Sequence, residues 1–207
     1  MGLLSWLKRN FRSTDRFDPS PAAGRIPEIL IRELRTEDID ACHRIYTENA
    51  AHGLPDGYFE TFTRDIESNS YLWMVAEVEE GPVGVGGICL TSTPDLIGGL
   101  AFGLVRPDKQ QQGIGSALLL ARMAALPKPD RYTRVMMSSV PATVDFYKQF
   151  GFSYFGRIPI DETRELDHYY TVVTRPAWGA ASVLLASGGV SITPAMPKIP
   201  VRQMAES

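Results

Sequence analysis

A short turn poor in side chains, set between an apolar strand and an apolar helix, constrains this 207-residue chain more than any other feature. Gly99–Val105 reads as a strand, and Arg106-Pro-Asp-Lys leads from it into Gln110-Gln-Gln-Gly-Ile-Gly-Ser-Ala-Leu-Leu-Leu. Glycine inside a helix costs up to about 1 kcal/mol relative to alanine. Gly113 and Gly115, at the start of an otherwise good helix former, therefore require a reason. One reason is close approach of the backbone to a ligand, where a Cβ would collide. At a helix N-terminus the free N–H groups and the dipole together favour an anion, a phosphate above all. The other reason is a plain strand-to-helix junction whose glycines only ease the turn. A Rossmann fingerprint would need a third glycine and a P-loop would need Gly-Lys-Ser/Thr; neither stands here.

The surrounding periodicity lays out one mixed α/β domain. Ile29–Leu34 alternates like a strand, and Thr36 opens a helix over 37–50 with Ile39, Cys42, Ile45 and Tyr46 on one face. A second helix is expected over 57–68. Tyr71–Val78 and Val83–Thr91 read as strands joined by Glu79-Glu-Gly-Pro. After the glycine turn, a helix runs to Leu126, where Pro127 stops it. A strand near Arg134–Ser138, a helix over 141–150 and strands near 153–158 and 168–174 complete the set. Beyond Pro176 the regularity fades. The expected organisation is an N-terminal extension and linker over 1–27, the domain over 28–176 and a C-terminal tail over 177–207.

Charge narrows the function classes. With 21 basic against 24 acidic side chains the chain lacks the basic surface that nucleic-acid backbones require. Cys42 and Cys89 stand apart in apolar settings, and His43, His52 and His168 do not group with carboxylates at ligand spacing, so neither a disulfide framework nor a metal is expected. The start of the chain imitates a targeting segment, but Lys8 and Arg9 follow its apolar stretch and Trp6 occupies the position where myristoylation wants Ser or Thr. Leu3, Leu4, Leu7 and Phe11 share helical spacing beside basic residues, so this segment either touches a membrane or partner or packs on the protein itself. No stretch reads as a membrane span, and a cytoplasmic protein is expected.

About thirty residues after the turn stands Val140-Pro-Ala-Thr-Val-Asp-Phe-Tyr-Lys-Gln-Phe-Gly-Phe. The ordered pair of segments resembles the GNAT acetyltransferase family. Val105-Arg106-Pro107 followed by Gln110-x-x-Gly113-x-Gly115 matches its pyrophosphate motif, and Phe146-Tyr147 with Gly151-Phe152 matches its later helix. The resemblance spans roughly residues 29–175.

It implies a GNAT fold: a mixed, mostly antiparallel sheet splayed between its fourth and fifth strands and flanked by helices. It implies acetyl-CoA as co-substrate and transfer of an acetyl or short acyl group to a primary amine on a small molecule or peptide. Gly103, Leu104 and Val105 would face the pantetheine arm, and Gln111, Gln112, Gly113, Ile114, Gly115 and Ser116 would hold the pyrophosphate, with Gln110 at its edge. Tyr147 would be the general acid toward the CoA thiolate. Pairing of C-terminal strands into a homodimer is a further implication.

The sequence also departs from the pattern. Val140 and Thr143 replace the usual asparagine and alanine, leaving Ser138 or Ser139 to substitute. Gly99–Val105 carries no carboxylate to serve as base, so proton removal falls to a water chain or to Glu77, His52 or Asp95. A catalytically silent, acyl-CoA-binding module is the alternative. Asp161, Glu162, Glu165 and Asp167 would form either an acidic rim for a cationic acceptor or a solvated loop neutralised by Arg157 and Arg164. Trp73, Tyr169 and Tyr170 would line the pocket or fill the core.

Overall fold

The computed structural model describes residues 15–51, 54, 57–91, 97–159, 165–192 and 199–202. The readings made on residues 1–14 and on His52, Asp95, Asp161, Glu162 and Arg164 fall outside this set.

The strands are β1 (Leu30–Glu33), β2 (Leu72–Val78), β3 (Gly81–Thr91), β4 (Ile97–Val105), β5 (Tyr132–Ser139), β6 (Ser153–Pro159), β7 (Glu165–Thr174), β8 (Ser191–Ile192) and β9 (Val201–Arg202). The helices are α1 (Ile39–Ala50), α2 (Tyr58–Ile66), α3 (Ile114–Ala125), α4 (Val144–Gln149) and α5 (Arg175–Ser187). One sheet runs β6-β7-β5-β4-β3-β2-β1-β8, with β9 extending the far end of β3. The β1–β2, β2–β3, β3–β4, β5–β7 and β6–β7 pairs are antiparallel, and β4–β5 is parallel.

Apolar cores lie on both sheet faces. In β2 the side chains alternate, Leu72, Met74 and Ala76 going to the core beneath α3 and Trp73 and Val75 to the core beneath α1 and α2. α3 is buried nearly all round, which explains why its sequence is so uniformly apolar.

β4 and β5 pair only from Ile97↔Arg134 to Leu100↔Met137 and then part. The cause lies two residues further along β4, at Phe102. Between Leu104↔Val85 and Ala101↔Gly87, β4 carries one residue more than β3, and within this bulge Phe102 has a φ of 40°. A bulge bends its strand and ends regular pairing. It turns the last residues of β4 away from β5 and leaves a wedge-shaped opening.

Two segments differ from the sequence reading in an informative way. Arg175–Ser187 is a helix where periodicity had faded: Thr174 caps it by accepting from the Ala177 N–H, and Pro176 sits in its first turn, where proline is tolerated. Its residues Ala181 and Leu185 are buried in the core beneath α3, and Trp178 donates to the Leu126 carbonyl.

The segment 15–27 is a strap across the domain. Phe17 N–H bonds the Val172 carbonyl, Asp18 N–H bonds that of Phe150, and the Asp15 carboxylate accepts from Ser153 and Tyr170. Phe17 is buried and stacks on Phe150.

Candidate functional site

The glycine turn and the β4 wedge open into one cleft of about 810 Å³. A single 3-10 turn, Pro107–Lys109, connects them, so the strand end and the start of α3 are held side by side. Gln111 has φ 61° and Gly113 φ 84°, with Gly113 the N-cap of α3 and no side chain capping the helix. A glutamine in the left-handed region is held there at a cost of roughly 1 kcal/mol. Left-handed residues set into such a turn are the element from which anion-binding backbone nests are built. Gln111, Gln112, Gly113, Gly115 and Ser116 all line the cleft. Ile114 does not: its side chain is buried in the core, which anchors the first turn of α3 from below.

The two glycines have different reasons to be glycine. A Cβ at Gly113 would collide with the carbonyl oxygen of Arg25 in the strap, and the positive φ adds to the restriction. The close approach at this residue is therefore made by the protein's own chain. At Gly115 a Cβ would lie 3.7 Å from Phe146, an ordinary contact, so no protein atom excludes a side chain there.

Gly103, Leu104 and Val105 line the opposite wall. Asn49 of α1 pins this wall: its amide donates to the Val105 carbonyl at 3.0 Å, and Gln110 Nε2 donates both to Asn49 Oδ1 and to the same carbonyl, each at 3.1 Å. Gln110 thus fastens the splayed strand to α1.

Tyr147, 7% exposed, stands on α4 between the rings of Phe146 and Phe152. Its hydroxyl would be 2.8 Å from a Cβ at Gly103, and Arg122 Nη2 would be 3.0 Å from the same point. Arg25 and Arg122 are the charged residues among the described lining, which includes no Asp or Glu. The cleft is therefore cationic, in a chain of net charge −3.

Other candidates lie elsewhere. Glu77 pairs with Arg32, which also grips Asp38 through Nη1 at 2.6 Å and Nη2 at 2.9 Å. Burial pushes the Asp38 carboxyl up, but the hydrogen bonds from Arg32 and the Arg35 N–H outweigh it and hold the group below the usual range. Ser139 bonds Thr143 at 2.7 Å at the entrance to α4, and Ser138 faces His168, so neither serine lines the cleft. Trp73, Tyr169 and Tyr170 are core residues. Asp167 pairs with Arg157 at 2.9 Å. Burial pushes the Cys42 thiol up to about 12 and the Cys89 thiol upward as well, which suits inert packing.

Arg25, Asn49 and Arg122 are cleft residues that the sequence reading passed over. For Arg122 a signal existed: it is a lone charge in Ala117-Leu-Leu-Leu-Ala-Arg-Met-Ala-Ala, on a helix with no polar face to receive it.

Residues 69–154 match the family model described as an acetyltransferase (GNAT) domain. No curated protein matches the chain. Among solved structures, the aminoglycoside N(6')acetyltransferase of Legionella pneumophila superposes with a TM-score of 0.58 at 13% identity, over 74% of this chain and 96% of that one. The histone acetyltransferase HPA2 and related acetyltransferase of Corynebacterium glutamicum gives 0.53 at 17%, over 70% and 96%. The ribosomal-protein-S18-alanine N-acetyltransferase of Escherichia coli gives 0.50 at 23%, over 70% and 92%. At such identities the likeness is one of fold.

Proposed function

We propose that this chain, which has the GNAT fold and carries an acetyltransferase (GNAT) domain over residues 69–154, transfers an acetyl or short acyl group from acyl-CoA to a primary amine by direct attack. The observation that carries the reading is the cleft itself, lined by the start of α3, which no side chain caps, by a strand end that has left β5, and by Tyr147. The N–H groups from Gln111 to Ser116 hold the diphosphate, as the free amides and dipole at a helix start favour. The strand end at Gly103, Leu104 and Val105 offers backbone partners to the amide-rich pantetheine arm, as an added strand would. The cationic lining suits a polyanionic co-substrate.

The amine nitrogen then attacks the thioester carbonyl. Tyr147, within reach of the side-chain-free position at 103, donates its proton to the sulfur as the carbon–sulfur bond breaks. Water carries away the proton of the amine. The acceptor is a small molecule or a peptide N-terminus or side chain.

Thermal unfolding tests the reading. Acetyl-CoA at a hundred times its dissociation constant stabilises the native state by about 2.7 kcal/mol, and a Gly115→Leu variant loses that gain while folding normally. Equal stabilisation of parent and variant refutes the phosphate-cradle assignment. The lack of a carboxylate among the described cleft residues also favours a second reading, a silent acyl-CoA-binding module. CoA release above hydrolysis background against a panel of amines eliminates that second reading.

A further inference from the structure

We propose that Arg122 is a catalytic residue of the cleft, a buried cation that stabilises the negative charge developing on the CoA sulfur as it leaves; the inference rests on the acyltransferase reading above. Arg122 is 1% exposed. Its only hydrogen bond to the described residues runs from Nε to the Leu118 carbonyl of its own helix, at 3.2 Å. Nη1 is buried with no partner, and among the described residues no carboxylate pairs with the guanidinium. A buried charge left in this state destabilises a fold by several kcal/mol, and an apolar side chain of like volume would be neutral or better. Core packing does not explain this residue. A role in holding an anionic group does.

Two strands are shaped around it. A Cβ at Gly86 would lie 3.1 Å from Cζ and Nη1, and one at Gly103 would lie 3.0 Å from Nη2. The Gly103 position also meets the Tyr147 hydroxyl at 2.8 Å. A side-chain-free strand, a phenol and an uncompensated cation thus converge on one point of the cleft floor, beyond the place where β4 leaves β5.

The neighbours of the guanidinium identify the anion. The side chain turns back along α3 to the Leu118 carbonyl, four residues or about 6 Å past Ile114, and Nη2 comes to the same point beside Gly103 as the Tyr147 hydroxyl. In the acyltransferase reading Tyr147 serves the thioester, so the group that meets Arg122 there is the thioester sulfur. As the amine lone pair forms the new carbon–nitrogen bond, the carbon–sulfur bond breaks with its electron pair going to sulfur. Arg122 Nη2–H, the guanidinium donor nearest the bare position at 103, donates a hydrogen bond to that sulfur, Tyr147 passes it a proton to give the thiol, and the proton of the amine leaves to water, from which the phenolate is restored.

The test is a pH titration of protein-bound CoA, read by the ultraviolet absorbance of the thiolate, with calorimetry of CoA binding alongside. In the parent protein the bound thiol ionises at least ten-fold more readily than free CoA. In Arg122→Met that shift disappears and kcat falls by about 10²–10³-fold, the loss typical of removing one charge-stabilising donor. KM for acetyl-CoA stays within a few-fold, and the melting temperature holds or rises, which a structural arginine would not allow. Parent protein that binds CoA with an unperturbed thiol overturns the proposal without any variant. A rate loss confined to acyl donors ending in a carboxylate overturns it too, since Arg122 would then read the acyl chain. No CoA binding by the parent removes the co-substrate reading and this proposal with it.

Discussion

Tyr147 takes its place in the cleft beside a residue without a side chain: its hydroxyl stands against the bare strand position at 103. Removing only that hydroxyl, in Tyr147→Phe, should lower kcat by roughly 10²-fold, the low end of general-acid contributions, and leave the affinity for acetyl-CoA unchanged. A steady-state comparison checks this, and an unaltered kcat would remove Tyr147 as the acid. Gly113 was legible as a position that excludes side chains, but its neighbour was not. The collision partner is Arg25, far away in the sequence, and no local pattern announces a contact of that range. Arg122 was visible in the sequence as a lone charge in an apolar helix, but its burial beside Gly103 is a tertiary fact.

At the scale of elements, strands and helices followed from periodicity, while the two features that shape the cleft did not. The β4 bulge depends on a mismatch of one residue between β3 and β4, and a count of that kind exists only once register is known. The strap over 15–27 has linker chemistry by composition, yet Phe17 is buried on Phe150, and a Cβ at Gly151 would collide with the Arg16 carbonyl. Pro21 and Arg25 of the strap also line the cleft, so loosening the strap should reach co-substrate binding. Phe17→Ala should cost about 3–5 kcal/mol of stability and weaken acetyl-CoA binding as the strap loosens. Denaturant melts and calorimetry together check both effects, and a destabilised variant with undiminished affinity would separate the strap from the site.

For the whole molecule, the ion cluster of Arg32, Asp38 and Glu77 ties β1, the start of α1 and β2 together, and it sets an acid limit. The Asp38 carboxyl is held below its ordinary value when folded. Its contribution to stability is therefore fully present above the unfolded value, near pH 4, and is lost as pH falls through the lower folded value. Replacing Asp38 with Asn should flatten the acid limb of a stability-versus-pH curve below about pH 4, and an unchanged slope would contradict this assignment.

The account as a whole depends on the backbone between Gln111 and Ser116 receiving a diphosphate. The most direct measurement is a titration of CoA into nitrogen-15-labelled protein, following each amide by NMR. The amides of Gln111 to Ser116 should move furthest, with Leu104 and Val105 next. If CoA saturates the protein while those amides stay still, the diphosphate binds elsewhere and the site assigned to it is wrong.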